Sequence, residues 1–329
     1  MIADADGHVI ARFDDAGLET TEISAKAIQL DGKDLEQKLL DVQHSIMELY
    51  PDIVADNEEE LLICDANEQV IMRVDSNGLN VASLYLNGQA VAIKNPLADK
   101  TLSIMGDSIS TFEGYIPNEY FSFYPAGDVQ SVQDTWWMKL IQDNDMKLGA
   151  NVSANGAPIQ MDSPDAPGAC DDNRIEALGA NGDPDFIILE FGINDAKIED
   201  MAQLGEIDPV FDVPFNSTSA NKYDVTTFLG AYQALITKLM VRYPNATIAC
   251  WAFPWTSRPG IMTSDDFYKA SIRIEELCKM YGCVFLDIRK CGITPGNMTT
   301  YLGCNDNTVT HPKKAGMELL ANYIGKCLK

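Results

Sequence analysis

The residue types that could open a carbonyl bond in this chain are one hydroxyl, one imidazole and a few amides. The hydroxyl is Ser108, in the run TLSIMGDSIST at residues 101–111. Leu102 to Met105 is an apolar stretch that predicts a buried strand, and Gly106-Asp107-Ser108 breaks it in a glycine-marked turn. The turn leaves Ser108 at the carboxyl end of the strand, where open α/β sheets bind their ligands. A serine hydroxyl is a weak nucleophile at neutral pH and needs a base to take its proton. The oxyanion it creates needs hydrogen-bond donors. His311, in a THP segment and one of three histidines, is the candidate base. Candidate donors are the Ser108 amide, the Gly156 amide in NVSANG and the Asn194 side chain in GIND at 192–195.

Each residue also has a plainer reading. A turn serine is commonly a cap, an Asn in a glycine loop commonly satisfies backbone, and HP before KKAGMELLANYI has the pattern of a helix start. Their order along the chain is what singles them out, since each follows an expected strand or precedes an expected helix.

The elements that must position them alternate. Strands are expected at 102–105, 148–152, 186–191, 247–252 and 284–286, and helices near 134–143, 173–180, 227–242, 265–281 and 312–327. Such alternation predicts a parallel sheet covered by helices on both faces, with the strand-end loops gathered on one rim.

GDS, NVSANG, GIND and THP, taken together, resemble the SGNH (GDSL-type) hydrolase family. STFEGYIP, DTWWMKL, PDFIILEFGINDA and YPNATI extend the likeness across residues 100–329 and resemble a subgroup common in gut bacteria that acts on acyl or carbohydrate esters. The resemblance implies an α/β fold, a three-layer α/β/α flavodoxin-like domain with a five-stranded parallel sheet. It implies a catalytic Ser108 with His311 as base, an oxyanion hole of Ser108, Gly156 and Asn194, and no cofactor or metal. The family places an Asp three residues before its histidine, where this chain has Thr308. The expected acid is therefore Asp306, with a backbone carbonyl as the alternative partner of the imidazole. Asp107 and Asp195 are expected to hold loops through backbone hydrogen bonds, and Arg174 to pin a loop or meet substrate. Trp136 and Trp137, with Tyr120, Phe121, Phe123 and Tyr124, are expected either in the core or as a sugar-stacking wall.

Composition narrows the partners. Forty-nine acidic against 24 basic residues give a formal charge of −25, which repels phosphates and anionic membranes, so neither nucleic acid nor a membrane is expected. No apolar run reaches the ~20 residues of a membrane span, and MIADADGHVIARF lacks the pattern of a signal peptide. The eight cysteines lack the paired spacings of a zinc site and several fall in apolar stretches, which predicts reduced thiols and intracellular assembly.

Ahead of this domain, DADGHVIARFDDAGL at 4–18 recurs as DANEQVIMRVDSNGL at 65–79, an offset of 61 residues. Each copy predicts a small hairpin that cannot bury a face alone. Between the copies Leu35, Leu39, Val42, Ile46 and Leu49 repeat with a/d spacing, which suits either a short coiled coil or one amphipathic helix. The arrangement resembles the stalk and attachment segments of phage tail-fibre and baseplate proteins. That resemblance implies a homotrimer formed through residues 1–95, contacts with other phage tail proteins, and a virion component. The expected domains are thus 1–95, a β-repeat and coiled-coil stalk, and 96–329, the hydrolase. The function classes left open are an esterase acting on an acylated glycan, a receptor-binding module that keeps the fold, and a lipase or thioesterase.

Overall fold

A computed structural model describes residues 95–329 except 161–167, 196–203, 211–212, 253–254, 257–263 and 306–308, together with the strands of an N-terminal unit. The chain divides into two units, Met1–Lys94 and Asn95–Lys329.

In the first unit the repeat folds twice into the same hairpin. Val9–Asp14 pairs antiparallel with Gly17–Thr20, and Val70–Asp75 with Gly78–Val81. The registers match as well, Asp14 opposite Gly17 and Asp75 opposite Gly78. The first hairpin joins a sheet with Leu84–Leu86 and Gln89–Val91, and the second a sheet with Leu61–Cys64. The a/d seam from Leu35 to Leu49 lies outside the described residues.

The second unit is built on five parallel strands, β1 (Thr101–Gly106), β2 (Lys147–Asn151), β3 (Phe186–Glu190), β4 (Thr247–Trp251) and β5 (Val284–Leu286). Their spatial order is β2-β1-β3-β4-β5, the doubly wound order. The α/β expectation holds. β1 and β3 are buried on both faces, which explains why they read as continuous apolar runs. Met105, Ile187, Leu189, Ile248 and Cys250 point into one core layer, and Leu102, Ile104, Ile188, Ala249 and Leu286 into the other. Helices α2 (Asp172–Ala177), α3 (Phe228–Arg242) and α4 (Ser264–Tyr281) cover the first layer. Helices α1 (Trp136–Asp143) and α5 (Lys314–Cys327) cover the second.

Two features of the fold bear on the rim. The order reverses between β1 and β3, so the loops leaving these two strands diverge and open a crevice at their carboxyl ends. Gly106, which ends β1, stands in register with Glu190, which ends β3. A Cβ at Gly106 would lie 2.6 Å from Glu190 Oε2 and 2.8 Å from the Glu190 carbonyl oxygen. Glycine is therefore required here by close approach. Gly106→Ala should cost about 1–3 kcal/mol of unfolding free energy as overpacking, read as a fall in the urea midpoint with unchanged slope; an unchanged midpoint would contradict the close approach.

Candidate active site

Immediately after β1 the chain tightens into one 3-10 turn, Ser108–Ser110, capped by Asp107, whose Oδ1 accepts from the Ile109 amide at 2.9 Å. The turn is tethered from below. The Ser110 carbonyl accepts from Trp137 Nε1 at 3.0 Å and from Asn151 Nδ2 at 2.8 Å. Ser110 Oγ takes a hydrogen bond from Trp136 Nε1 at 3.3 Å and donates to Glu190 Oε2 at 2.9 Å. Trp136, Trp137 and Tyr124 are wholly buried, so they belong to the core and form no sugar-stacking wall. Of the other aromatics on that segment, Phe121 is 63% exposed.

His311 arrives from the far end of the sequence. Leu302 and Pro312 form an isolated antiparallel bridge, and the His311 carbonyl accepts from the Gly303 and Cys304 amides at 2.8 and 2.9 Å. This extended stretch delays the last helix, expected from residue 312, until Lys314. The Tyr124 hydroxyl donates to the Pro312 carbonyl at 2.8 Å. The imidazole stacks on Phe123, with centroids 3.5 Å apart and planes 5° from parallel. Phe123 is itself held by its amide, which donates to Thr111 Oγ1 at 2.8 Å. With its plane fixed in this way, His311 Nε2 lies 2.8 Å from Ser108 Oγ. Asp306 and Thr308 lie outside the described residues.

The residues expected as donors lie in loops that are tied to the Ser108 turn. Ala154–Ala157 forms a turn closed by the Ala157 amide to the Ala154 carbonyl at 3.1 Å, with Gly156 at φ +76°. That φ favours glycine, and a Cβ there would meet nothing within 4 Å, so the turn presents bare backbone to open space. The amides of Ser108 and Gly156 have no hydrogen-bond partner among the described residues. Asn194 Nδ2 donates to Asp107 Oδ2 at 3.1 Å and to the Ala157 carbonyl at 3.4 Å, tying the nucleophile turn to the glycine turn. Ser108, His311, Gly156 and Asn194 thus belong to one connected cluster. No group of three or more His, Cys, Asp or Glu among the described residues is arranged to hold a metal ion.

Charge around the cluster is buried. Arg174, 1% exposed, donates from Nε to the Val152 carbonyl and from Nη2 to the Gly106 carbonyl, both at 3.0 Å. It therefore pins the loops after β2 and β1. Burial draws its guanidinium down to about 10, so it keeps its charge at neutral pH. Glu190 was not singled out by sequence reasoning. Its signal was a carboxylate inside FIILEF, an otherwise apolar strand with both faces covered. Burial, and then the charge of Asp107, hold its carboxyl well above the usual range.

Asp195 accepts at Oδ1 from the Ile159 and Gln160 amides, at 2.8 and 3.1 Å, and so fastens the loop after the glycine turn as expected. Burial pushes its carboxyl up to about 7, the two amides pulling the other way. A folded-state value above the unfolded value near 3.8 means that its contribution to stability is complete below about pH 4 and is lost as the pH rises to about 7. Measured against Asp195→Asn, which lacks this titration, the Tm of the wild type should fall across that window. Parallel Tm curves for the two proteins would contradict the assignment.

The family model for GDSL-like lipase/acylhydrolase matches residues 100–328. A structure described as a GDSL-like lipase from Bacteroides uniformis is 24% identical, the match covering 69% of this chain and 93% of that one, with a TM-score of 0.48. Another so described, from Bacteroides ovatus, is 26% identical over 69% and 96% of the two chains, with a TM-score of 0.47. A further crystal structure, 22% identical over 70% and 97%, shares the fold with a TM-score of 0.51. No curated protein matched the chain. With a family model matched over residues 100–328, more than half of the chain, this chain belongs to the GDSL-like lipase/acylhydrolase family of serine ester hydrolases.

Proposed function

We propose that the enzyme removes acetyl or similarly small acyl groups from a glycan, using Ser108 as nucleophile and His311 as base. The carrying observation is the 2.8 Å separation of His311 Nε2 and Ser108 Oγ. As the Ser108 oxygen attacks the ester carbonyl, its proton passes to Nε2. The imidazolium then returns that proton to the departing sugar hydroxyl, leaving an acyl group on Ser108, and a water activated by the same imidazole releases the acid. The Ser108 and Gly156 amides, unpaired among the described residues, receive the oxyanion, and Asn194 joins them by giving up its long contact to Ala157. Asp306 is the proposed partner of the other imidazole nitrogen.

A carbohydrate leaving group is supported by the aromatic rim. Phe121 and Tyr115 are exposed on the segment that also carries Phe123 to His311, and the Phe121 carbonyl accepts from Asn155, next to Gly156. Apolar aromatic faces beside a polar site suit the faces of sugar rings. The repeated hairpins of the first unit, with the a/d seam between them, support a trimeric stalk of the phage-tail kind presenting three such sites to an acylated surface polysaccharide.

Ser108→Ala and His311→Ala should each lower the hydrolysis rate of p-nitrophenyl acetate by about a thousandfold or more, without adding in the double variant. Asn194→Ala should lower kcat by about 10²–10³ with little change in KM. Wild-type rates in Ser108→Ala would leave a binding module. Rates that rise with acyl length would point to a lipase or thioesterase. Light scattering should give three times the 36.2 kDa chain mass; a monomer would remove the stalk reading.

A further inference from the structure

We propose that Glu190 is a positioning residue for the nucleophile, working as a neutral acid that shares one proton with Asp107. The proposal rests on the esterase reading and adds to it a group that touches no substrate.

The geometry is a buried relay. Glu190 is 1% exposed and Asp107 wholly buried. Glu190 Oε2 accepts from the Asp107 amide at 3.0 Å and from Ser110 Oγ at 2.9 Å, so one oxygen holds both ends of the turn that carries Ser108. The amide contact places the two carboxyl groups side by side in the same dry pocket, and the charge of Asp107 adds to burial in raising the Glu190 carboxyl. Asp107 in turn spends Oδ1 on the Ile109 amide, beside Ser108 Oγ at 3.5 Å, and Oδ2 on Asn194 Nδ2. Nucleophile, oxyanion donor and Glu190 therefore all meet at Asp107.

Two neighbouring buried carboxyls cannot both be anions in a dry site unless compensated, and they settle by keeping one proton between them. The other titratable groups facing the pair are Arg174 on α2, Tyr232 on α3 and Asp195 after β3. Among the described residues Arg174 is the cation buried against the pair, enough to balance one carboxylate, while His311 is set off from Asp107 by the Ser108 hydroxyl. The remaining proton stays between Glu190 and Asp107, and Asp107 keeps the negative charge that orients Asn194. Removing that proton would set two anions against each other directly beneath Ser108 and loosen the turn.

The test uses Glu190→Gln, whose amide oxygen can accept both hydrogen bonds and whose NH₂ can donate to Asp107 in place of the acid proton. With p-nitrophenyl acetate, its kcat near neutral pH should stay within about threefold of wild type. At alkaline pH, where the wild type loses the shared proton, the wild-type kcat should fall while that of Glu190→Gln holds. Glu190→Ala, which removes the acceptor, should lower kcat by about tenfold or more with KM nearly unchanged. Superimposable alkaline limbs for wild type and Glu190→Gln, or a Glu190→Gln as impaired as Glu190→Ala, would overturn the proposal. An infrared readout separates this from the esterase reading: at about pH 8, above the titration of Asp195, the wild type should show a protonated-carboxyl stretch that Glu190→Gln lacks. If Ser108→Ala and wild type prove equally inactive, the esterase reading fails and the infrared band still decides the proton, its absence from the wild type refuting it.

Discussion

A hydrogen bond between residues 203 positions apart, Ser108 and His311, sets what the rest of the second unit has to accomplish. Neither residue can be moved to the other by local structure. The parallel sheet brings their loops to one rim, because every right-handed crossover returns the chain to the same edge. The final approach is then fixed by smaller devices. On one side the 3-10 turn hangs from Asp107, Glu190 and two indoles; on the other the Leu302–Pro312 bridge and the face of Phe123 hold the ring. A displacement of these two atoms by a fraction of an ångström is enough to cost rate, so the devices that fix them matter beyond what they add to stability.

The interior beneath that contact is unusually polar for a strand-end core. Asp107, Ser110, Arg174, Glu190 and Asp195 are all buried. Such groups persist only where hydrogen bonds and opposite charge replace the water they have lost. Arg174 supplies donors to two strand-end carbonyls, and the carboxyls collect the amides of two loops. The polar core makes the loops of the rim mutually dependent, so the site is preorganised by the same contacts that close the domain.

Much of this was legible in the sequence because the signals were local. Leu102–Met105 and Phe186–Phe191 read as buried strands since both faces are covered, and Gly106 and Gly156 marked turns that only glycine fits. The four site residues stood out by order and by the elements beside them. What escaped is the set of contacts made by tertiary packing. Glu190 looks like one more strand residue until Gly106 is seen in register with it. Arg174 gave two readings, and its burial beside two carbonyls selects the loop-pinning one. The aromatic segment splits by depth, Tyr124 inside and Phe121 outside, which no periodicity encodes in an irregular loop.

The proposed chemistry requires Ser108 to be activated by His311 in the resting protein, before any substrate arrives. The most direct measurement is labelling with a small fluorophosphonate followed by peptide mass spectrometry, since the reagent phosphonylates a serine only when a base removes its proton. One adduct per chain on Ser108, lost in His311→Ala, is the predicted result. An unlabelled Ser108, or labelling that is indifferent to His311, would contradict the account.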